Sequence, residues 1–170
     1  MTTTQYEPEK TVEHVPGSSP TRNVTIGETM TATCLVYAST ATYGNGVALA
    51  AANHGDSNTE EGTIEQIEIP HIHPRGDGTP WDKTTSYSAG DYANAIEHKV
   101  GNAYWLKGSS VTATARKTKL IVAGSGLVKA QLAHTATPLP VHMWTCHRSV
   151  SAGTYILGGY DGIVSTYTAA

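Results

Sequence analysis

Between Tyr87 and Gln131, glycine-bearing turns break up short runs of β-favouring residues at nearly regular intervals, a pattern that leaves no room for a long helix. Tyr87-Ser88-Ala89-Gly90-Asp91 reads as a strand end entering a turn, because Gly90 can take a positive φ without a Cβ clash and Asp91 can hydrogen-bond the local backbone. Tyr92, Ala93, Ala95 and Ile96 supply the next strand, and Gly101-Asn102 punctuates before Tyr104-Trp105, whose flat side chains suit a half-buried pleated surface. Lys107-Gly108-Ser109-Ser110 turns the chain again. Val111 to Val122 then reads as one β-branched strand, and Gly124-Ser125-Gly126 turns it into Leu127 to Ala130. The stretch predicts a β-meander.

This order of features resembles the decoration or cement proteins that sit on the outside of HK97-type capsids of tailed viruses. The family form has a tyr-x-ala-gly-asp/glu entry, which Tyr87-Ser88-Ala89-Gly90-Asp91 matches, and an ala-gly-asp-gly turn, which Ala123-Gly124-Ser125-Gly126 matches but for one residue. The departure lies between them, where Arg116-Lys117-Thr118-Lys119 stands in place of a compact lys-gly-asp turn and leaves the register of the middle hairpin open. The resemblance covers about a quarter of the chain. It implies a non-enzymatic β-domain on the outer capsid surface of a virion, a homotrimer at quasi-three-fold positions, with the major capsid protein as its partner.

At 170 residues the chain is long enough for one domain that buries roughly two-thirds of its unfolded surface. Charged residues make up 15% against a usual level of about a quarter, and phenylalanine is absent, so Trp81, Trp105, Trp144 and nine tyrosines carry the aromatic load. A core so short of large apolar anchors is one that association would complete, which also points to self-assembly. The net charge of −3 argues against a nucleic-acid partner, since phosphate neutralisation needs clustered lysine and arginine. The one basic run, Arg116 to Lys119, reads as a solvated turn or a strand edge kept from aggregating by lysine. No stretch approaches the roughly 20 apolar residues of a membrane span, and Met1 to Gln5 has no secretory character, so synthesis in the host cytoplasm is expected. Cys34 and Cys146 lie far apart and form no short-spaced metal or redox motif; they read as buried thiols.

Residues 1–22 combine three prolines (Pro8, Pro16, Pro20) with threonines and charges and little apolar periodicity. They read as an extended N-terminal arm, unpacked in a monomer and ordered on a neighbour in an assembly, or as a frayed terminus. Val24, Ile26, Met30, Ala32, Cys34, Val36 and Ala38 alternate with polar positions around a Gly27-Glu28 irregularity, the signature of a core strand. Tyr43-Gly44-Asn45-Gly46 is a hairpin signal, and Val47 to Ala52 is a strand or a short helical piece. Asn53 to Gly62 is a polar loop, Thr63 to Ile72 has strand character, and Pro70 to Asp82 is a surface loop beside an anchoring Trp81. Val141 to Cys146 has both faces covered, as a central or interfacial strand does. Thr154 to Leu157 and Ile163 to Tyr167 read as a closing hairpin about Gly158 to Gly162. The fold class is all-β: a single β-barrel or β-sandwich domain over residues 23–170 behind the arm.

Three constellations have chemical potential. His71 and His73 are two apart and would share a strand face, with Asp77 four residues on, in faint likeness to the metal motif of cupins; Asp77 replaces the motif's glutamate, and Pro74 interrupts the strand. His98, His142 or His147 are the histidines that could complete such a site. Arg75-Gly76-Asp77 is the tripeptide that integrins recognise at a loop tip, though a charged loop apex explains it as well. Catalysis lacks a nucleophile elbow, and Cys146 and His147 would face opposite sides of a strand. The expectation is therefore no enzyme, no cofactor, no metal, no nucleic acid and no membrane. The alternatives are a subunit of a tail, fibre or extracellular filament, and a small cupin-like enzyme using His71 and His73.

Overall fold

The structure is a computed structural model and describes residues 10–14, 19–51, 63–70, 84–109, 114–131, 142–149 and 155–164. The alternation noted around Val24 to Val36 becomes the lining of a closed barrel. Its strands are β2 (Thr21–Ile26), β4 (Leu35–Ala38), β5 (Gly46–Leu49), β6 (Glu65–Ile67) and β8 (Tyr92–Glu97), in the cyclic order β2-β5-β4-β6-β8. The β2–β5 pair is parallel and the others are antiparallel. Val24, Ile26, Met30, Cys34, Val36, Val47 and Ile67 fill the interior with Ala93 and Ala95. A five-stranded barrel is narrower than the eight-stranded one that side chains just fill, so alanine on β8 matches the space available. Between β2 and β4 the chain makes the short β3 (Met30–Thr31), paired with β7 (Ser86–Tyr87). Tyr43 to Gly46 turns β4 into β5 as expected, closed by hydrogen bonds from Gly46 N to Tyr43 O (2.9 Å) and from Ser39 N to Gly46 O (2.9 Å).

A six-stranded antiparallel sheet forms the rest, in the order β1 (Val12–His14), β9 (Ala103–Lys107), β13 (Tyr155–Val164), β12 (His142–Cys146), β10 (Lys119–Gly124), β11 (Leu127–Ala130). The sheet rolls until β11 reaches the far end of β9, through a Gly108–Val128 bridge and a hydrogen bond from Ser109 N to Val128 O (2.8 Å). Tyr104, Leu106, Leu120, Val122, Met143 and Trp144 pack on its concave side together with Leu35, Ala50, Ile64 and Ile96 of the barrel half, so one core spans both units. Ala103, Trp105 and Leu157 form a smaller cluster with Tyr155.

Strands form near the expected positions at Tyr92–Glu97, Ala103–Lys107 and Leu127–Ala130, but the stretch does not form a meander. β8 closes the barrel between β2 and β6, β9 crosses to the sheet between β1 and β13, and only β10 and β11 pair as sequence neighbours. Residue volume explains the parting: β8 offers alanines to a narrow lumen, whereas Tyr104, Trp105 and Leu106 on β9 are buried to both sides and need a central position. Of the long strand expected from Val111 to Val122, residues 111–113 lie outside the described residues, and β10 starts at Lys119, after a turn closed by Thr118 N to Ala115 O (3.2 Å) with Lys117 at a φ of 71°. Arg116 and Lys117 are exposed in that turn, and Lys119 is exposed at the start of the strand.

Two further expectations are corrected. The closing hairpin is a single ten-residue strand, β13, because Gly158 serves close packing and not a turn: a Cβ there would lie 2.6 Å from Leu106 Cδ1. The left-handed Gly162 produces only a bulge in its pairing with β12. The N-terminal segment is not an unpacked arm throughout. Val12–His14 pairs with β9, Trp105 N donates to Thr11 O (2.9 Å), and β2 already begins at Thr21; β9 had a free edge that this segment satisfies.

The β10–β11 turn locks the two halves. Gly126, at a φ of 69°, accepts from Leu35 N (2.9 Å) and donates to Ala50 O (3.0 Å), bridging the ends of β4 and β5. A Cβ there would lie 2.7 Å from Leu35 O. Gly126→Ala should therefore cost about 2–4 kcal/mol, combining left-handed strain with overpacking, and lower Tm by several degrees. Gly44→Ala, where a Cβ meets open space, should leave Tm nearly unchanged in the same thermal scan.

Candidate functional site

Burial of polar residues sets the chemistry of the interior. Gln66, on β6, is fully buried; its side-chain nitrogen donates to Thr33 O (2.9 Å) and Trp105 O (2.6 Å), and its oxygen pairs with His98 Nε2 (3.0 Å). Trp144 Nε1 donates to His98 Nδ1 (3.0 Å), which makes Nδ1 the acceptor and Nε2 the protonated nitrogen. The imidazole stacks on Tyr104 at 3.7 Å and meets Trp144 and Tyr160 edge-on. Tyr104 continues the network outward, accepting from Lys99 N (2.8 Å) and sharing a hydrogen bond with Ser19 Oγ (2.7 Å). Complete burial lowers the His98 pKa from 6.5 to about 3. Thr33, a β-branched residue at a φ of 70°, is held by its N–H to Ile67 O (2.8 Å) and by Gln66 on its carbonyl.

The sequence-predicted residues are spread apart. His71, His73, Arg75, Gly76 and Asp77, with the rest of the 71–83 segment, lie outside the described residues. His98 is unsuited to a metal, since both ring nitrogens are engaged. His142 lies on β12, and His147 is exposed beyond its end, its ring against Gly159. Cys34 and Cys146 are buried free thiols; Cys146 Sγ donates to Arg148 O (2.9 Å), and burial pushes its pKa up. Among the described residues, no group of three or more His, Cys, Asp or Glu side chains could hold a metal ion.

Two surface features had not been singled out from the sequence. The first is a cleft of about 440 Å³ on the outside of the barrel. Asn23 on β2 and Asn94 on β8 are direct cross-strand partners, and Glu68 just past β6 donates its N–H to Asn94 O (2.9 Å), so the three stand in a row across the strands. Tyr92, two residues before Asn94 on the same face, is 78% exposed, and Tyr87 and Pro70 complete the walls. Partial burial pushes the Glu68 carboxyl above its ordinary range. The legible signal was the alternation of Tyr92 and Asn94 with Ala93 and Ala95. The second feature is apolar: Val100 (69% exposed) and Ile163 (54% exposed) flank the Gly162 bulge, where Val100 Cγ2 is 3.5 Å from the place a Cβ would take.

Arg22 is an ion-pair strap across β8, with Nε on Glu65 Oε1 (2.6 Å) and Nη2 on Glu65 Oε2 (2.6 Å). That bidentate bond raises the Arg22 pKa further. It keeps the buried carboxylate of Glu65 satisfied.

A closed five-stranded barrel joined to a rolled six-stranded sheet defines an all-β barrel domain. No protein-family profile and no curated protein sequence matches the chain. Among solved structures it is similar to the crystal structure of the head fiber gp8.5 N base of bacteriophage phi29, with a TM-score of 0.53 and 10% identity over 88% of this chain and 100% of that one. At that identity the likeness is one of fold.

Titration of His98 has a defined direction. Its folded pKa lies below its unfolded value, so between about pH 6.5 and 3 the unfolded chain binds a proton that the native chain refuses, and stability falls with falling pH. The loss should reach at most about 1.4 kcal/mol per pH unit in that window. His98→Gln keeps an acceptor for Trp144 and a donor for Gln66 without titrating. Denaturant unfolding at several pH values should show a shallower acid slope for this variant; equal slopes would remove His98 as the cause.

Proposed function

We propose that this chain is a non-enzymatic structural protein of a phage virion, a β-domain seated on the outer capsid surface, where it contacts the major capsid protein and associates with copies of itself. The observation that supports this reading is the fold shared with a head-fibre base along the whole of that chain. The molecule's chemistry agrees with it: the buried histidine, glutamine and ion pair are consumed in holding strands together. The role is mechanical.

The likeness to a head-fibre base favours a fibre-base role, in which the domain anchors a projecting structure to the head. A cement role, in which it bridges neighbouring capsomers as a trimer, needs the same kind of docking patch, about 800 Å² per partner, repeated by symmetry. Val100 and Ile163 are the candidate contacts, because exposed apolar side chains gain most from being covered. The β1 segment is committed to β9 and is left out of the docking patch.

Co-sedimentation of the purified chain with heads that lack it should show saturable binding, weakened about tenfold by the double change Val100→Glu and Ile163→Glu. Absence of saturable binding would end the reading. Heating the decorated heads separates the two roles: bridging raises the temperature at which they open, whereas a fibre base leaves it unchanged.

A further inference from the structure

The cleft formed by Asn23, Glu68, Pro70, Tyr87, Tyr92 and Asn94 has a composition that docking on a protein shell does not require. β8 is hydrogen-bonded on both sides, to β2 and to β6, so the row Glu68–Asn94–Asn23 lies in mid-sheet and offers no free strand edge to a peptide. Among the described residues, the lining side chains include no lysine, arginine or histidine to pair with a phosphate or sulfate. Glu68 is the lone carboxylate among them, too little charge for a divalent cation. The cleft does have a flat aromatic ring standing almost wholly in solvent, with amide donors and acceptors and one carboxylate ranked beside it.

That set matches the two faces of a pyranose sugar. One face of the ring carries C–H groups with partial positive charge, which the negative face of a tyrosine ring attracts. The rim carries hydroxyls, each a donor and an acceptor, and asparagine and carboxylate side chains answer both. A volume of about 440 Å³ falls within the range of roughly 300–1,000 Å³ typical of ligand clefts. We propose that this cleft is a binding site for a neutral pyranose glycan, with Tyr92 as the stacking platform and Asn23, Asn94 and Glu68 as the hydroxyl-reading row. Tyr87 and Pro70 also line the cleft. The inference does not depend on the virion reading, since the lining residues it uses all belong to one chain.

Saturation-transfer NMR on the full chain, without capsid, tests it with maltose, cellobiose and N,N′-diacetylchitobiose, each at millimolar concentration. At least one sugar should receive saturation, strongest on its ring C–H protons. Tyr92→Ala should weaken apparent affinity about tenfold and Tyr92→Trp should preserve it, since Tyr92 is exposed and its loss leaves the core intact. Asn94→Ala, a second exposed position, should weaken binding several-fold, and Val100→Glu should leave it unaltered. Lack of transfer to all three sugars, or equal transfer to the Tyr92→Ala and parent chains, overturns the proposal. Because no capsid is present, either result leaves the head-binding assay to be judged separately.

Discussion

Every hydrogen-bonding group of the Gln66 side chain is committed, and the rest of the fold depends on that commitment. Its two amide hydrogens hold carbonyls of Thr33 and Trp105, and its oxygen takes His98, whose other nitrogen takes Trp144. Thr33 belongs to the barrel half, whereas Trp105 and Trp144 belong to the sheet. Inside a protein an unpaired amide or imidazole costs a few kcal/mol, so any slip of one half against the other leaves several such groups stranded at once. The network therefore fixes register between units that share a hydrophobic core but no long strand pairing. Gly126 does the same with backbone groups at the other end of the junction, and it can do so only because it lacks a Cβ.

A second constraint is the width of the barrel. Five strands leave a narrow lumen, and the inward positions of β8 are alanines for that reason. The large side chains that phenylalanine would ordinarily share are concentrated on β9 and β12, where Tyr104, Trp105 and Trp144 are each buried within the rolled sheet. The chain thus sorts its side chains by unit, alanine and aliphatic residues to the barrel interior and the buried tryptophans and Tyr104 to the sheet. Consecutive strands part company wherever that sorting demands it.

The surfaces left over are of two kinds and lie on different elements. Val100 and Ile163, at the β8–β9 turn and the β13 bulge, are apolar and suit a protein partner. Tyr92, Asn94, Asn23 and Glu68, on the outer wall of the barrel, are polar around one aromatic ring and suit a hydroxylated ligand. The two proposals share no residue and are compatible.

Strand content was legible because period-two alternation and glycine turns are local signals: the core positions Val24, Ile26, Met30, Ala32, Cys34 and Val36, the Tyr43–Gly46 turn and the covered strand at Met143 to Cys146 all follow from near-neighbour chemistry. Pairing was not legible, because it depends on volumes and edges far apart in the chain. Gly158 looked like a turn and is a packing contact; Val12–His14 looked like a free arm and is an edge strand; Tyr87 to Gln131 looked like a meander and is divided between two units. The candidate site shows the same limit. Histidine pairs draw the eye in a sequence, yet the structure places His98 in a neutral hydrogen-bonded cage, and among the described residues the surface chemistry comes from Asn23, Glu68 and Tyr92, three residues ordinary in isolation. The sequence by itself determined an all-β chain and the inward faces of its regularly alternating strands, because side-chain alternation and turn chemistry act over a few residues. Which strands meet, and which side chains therefore share a surface, was decided only by tertiary structure, because a residue's volume and hydrogen-bonding capacity have meaning only against the neighbours that packing brings to it.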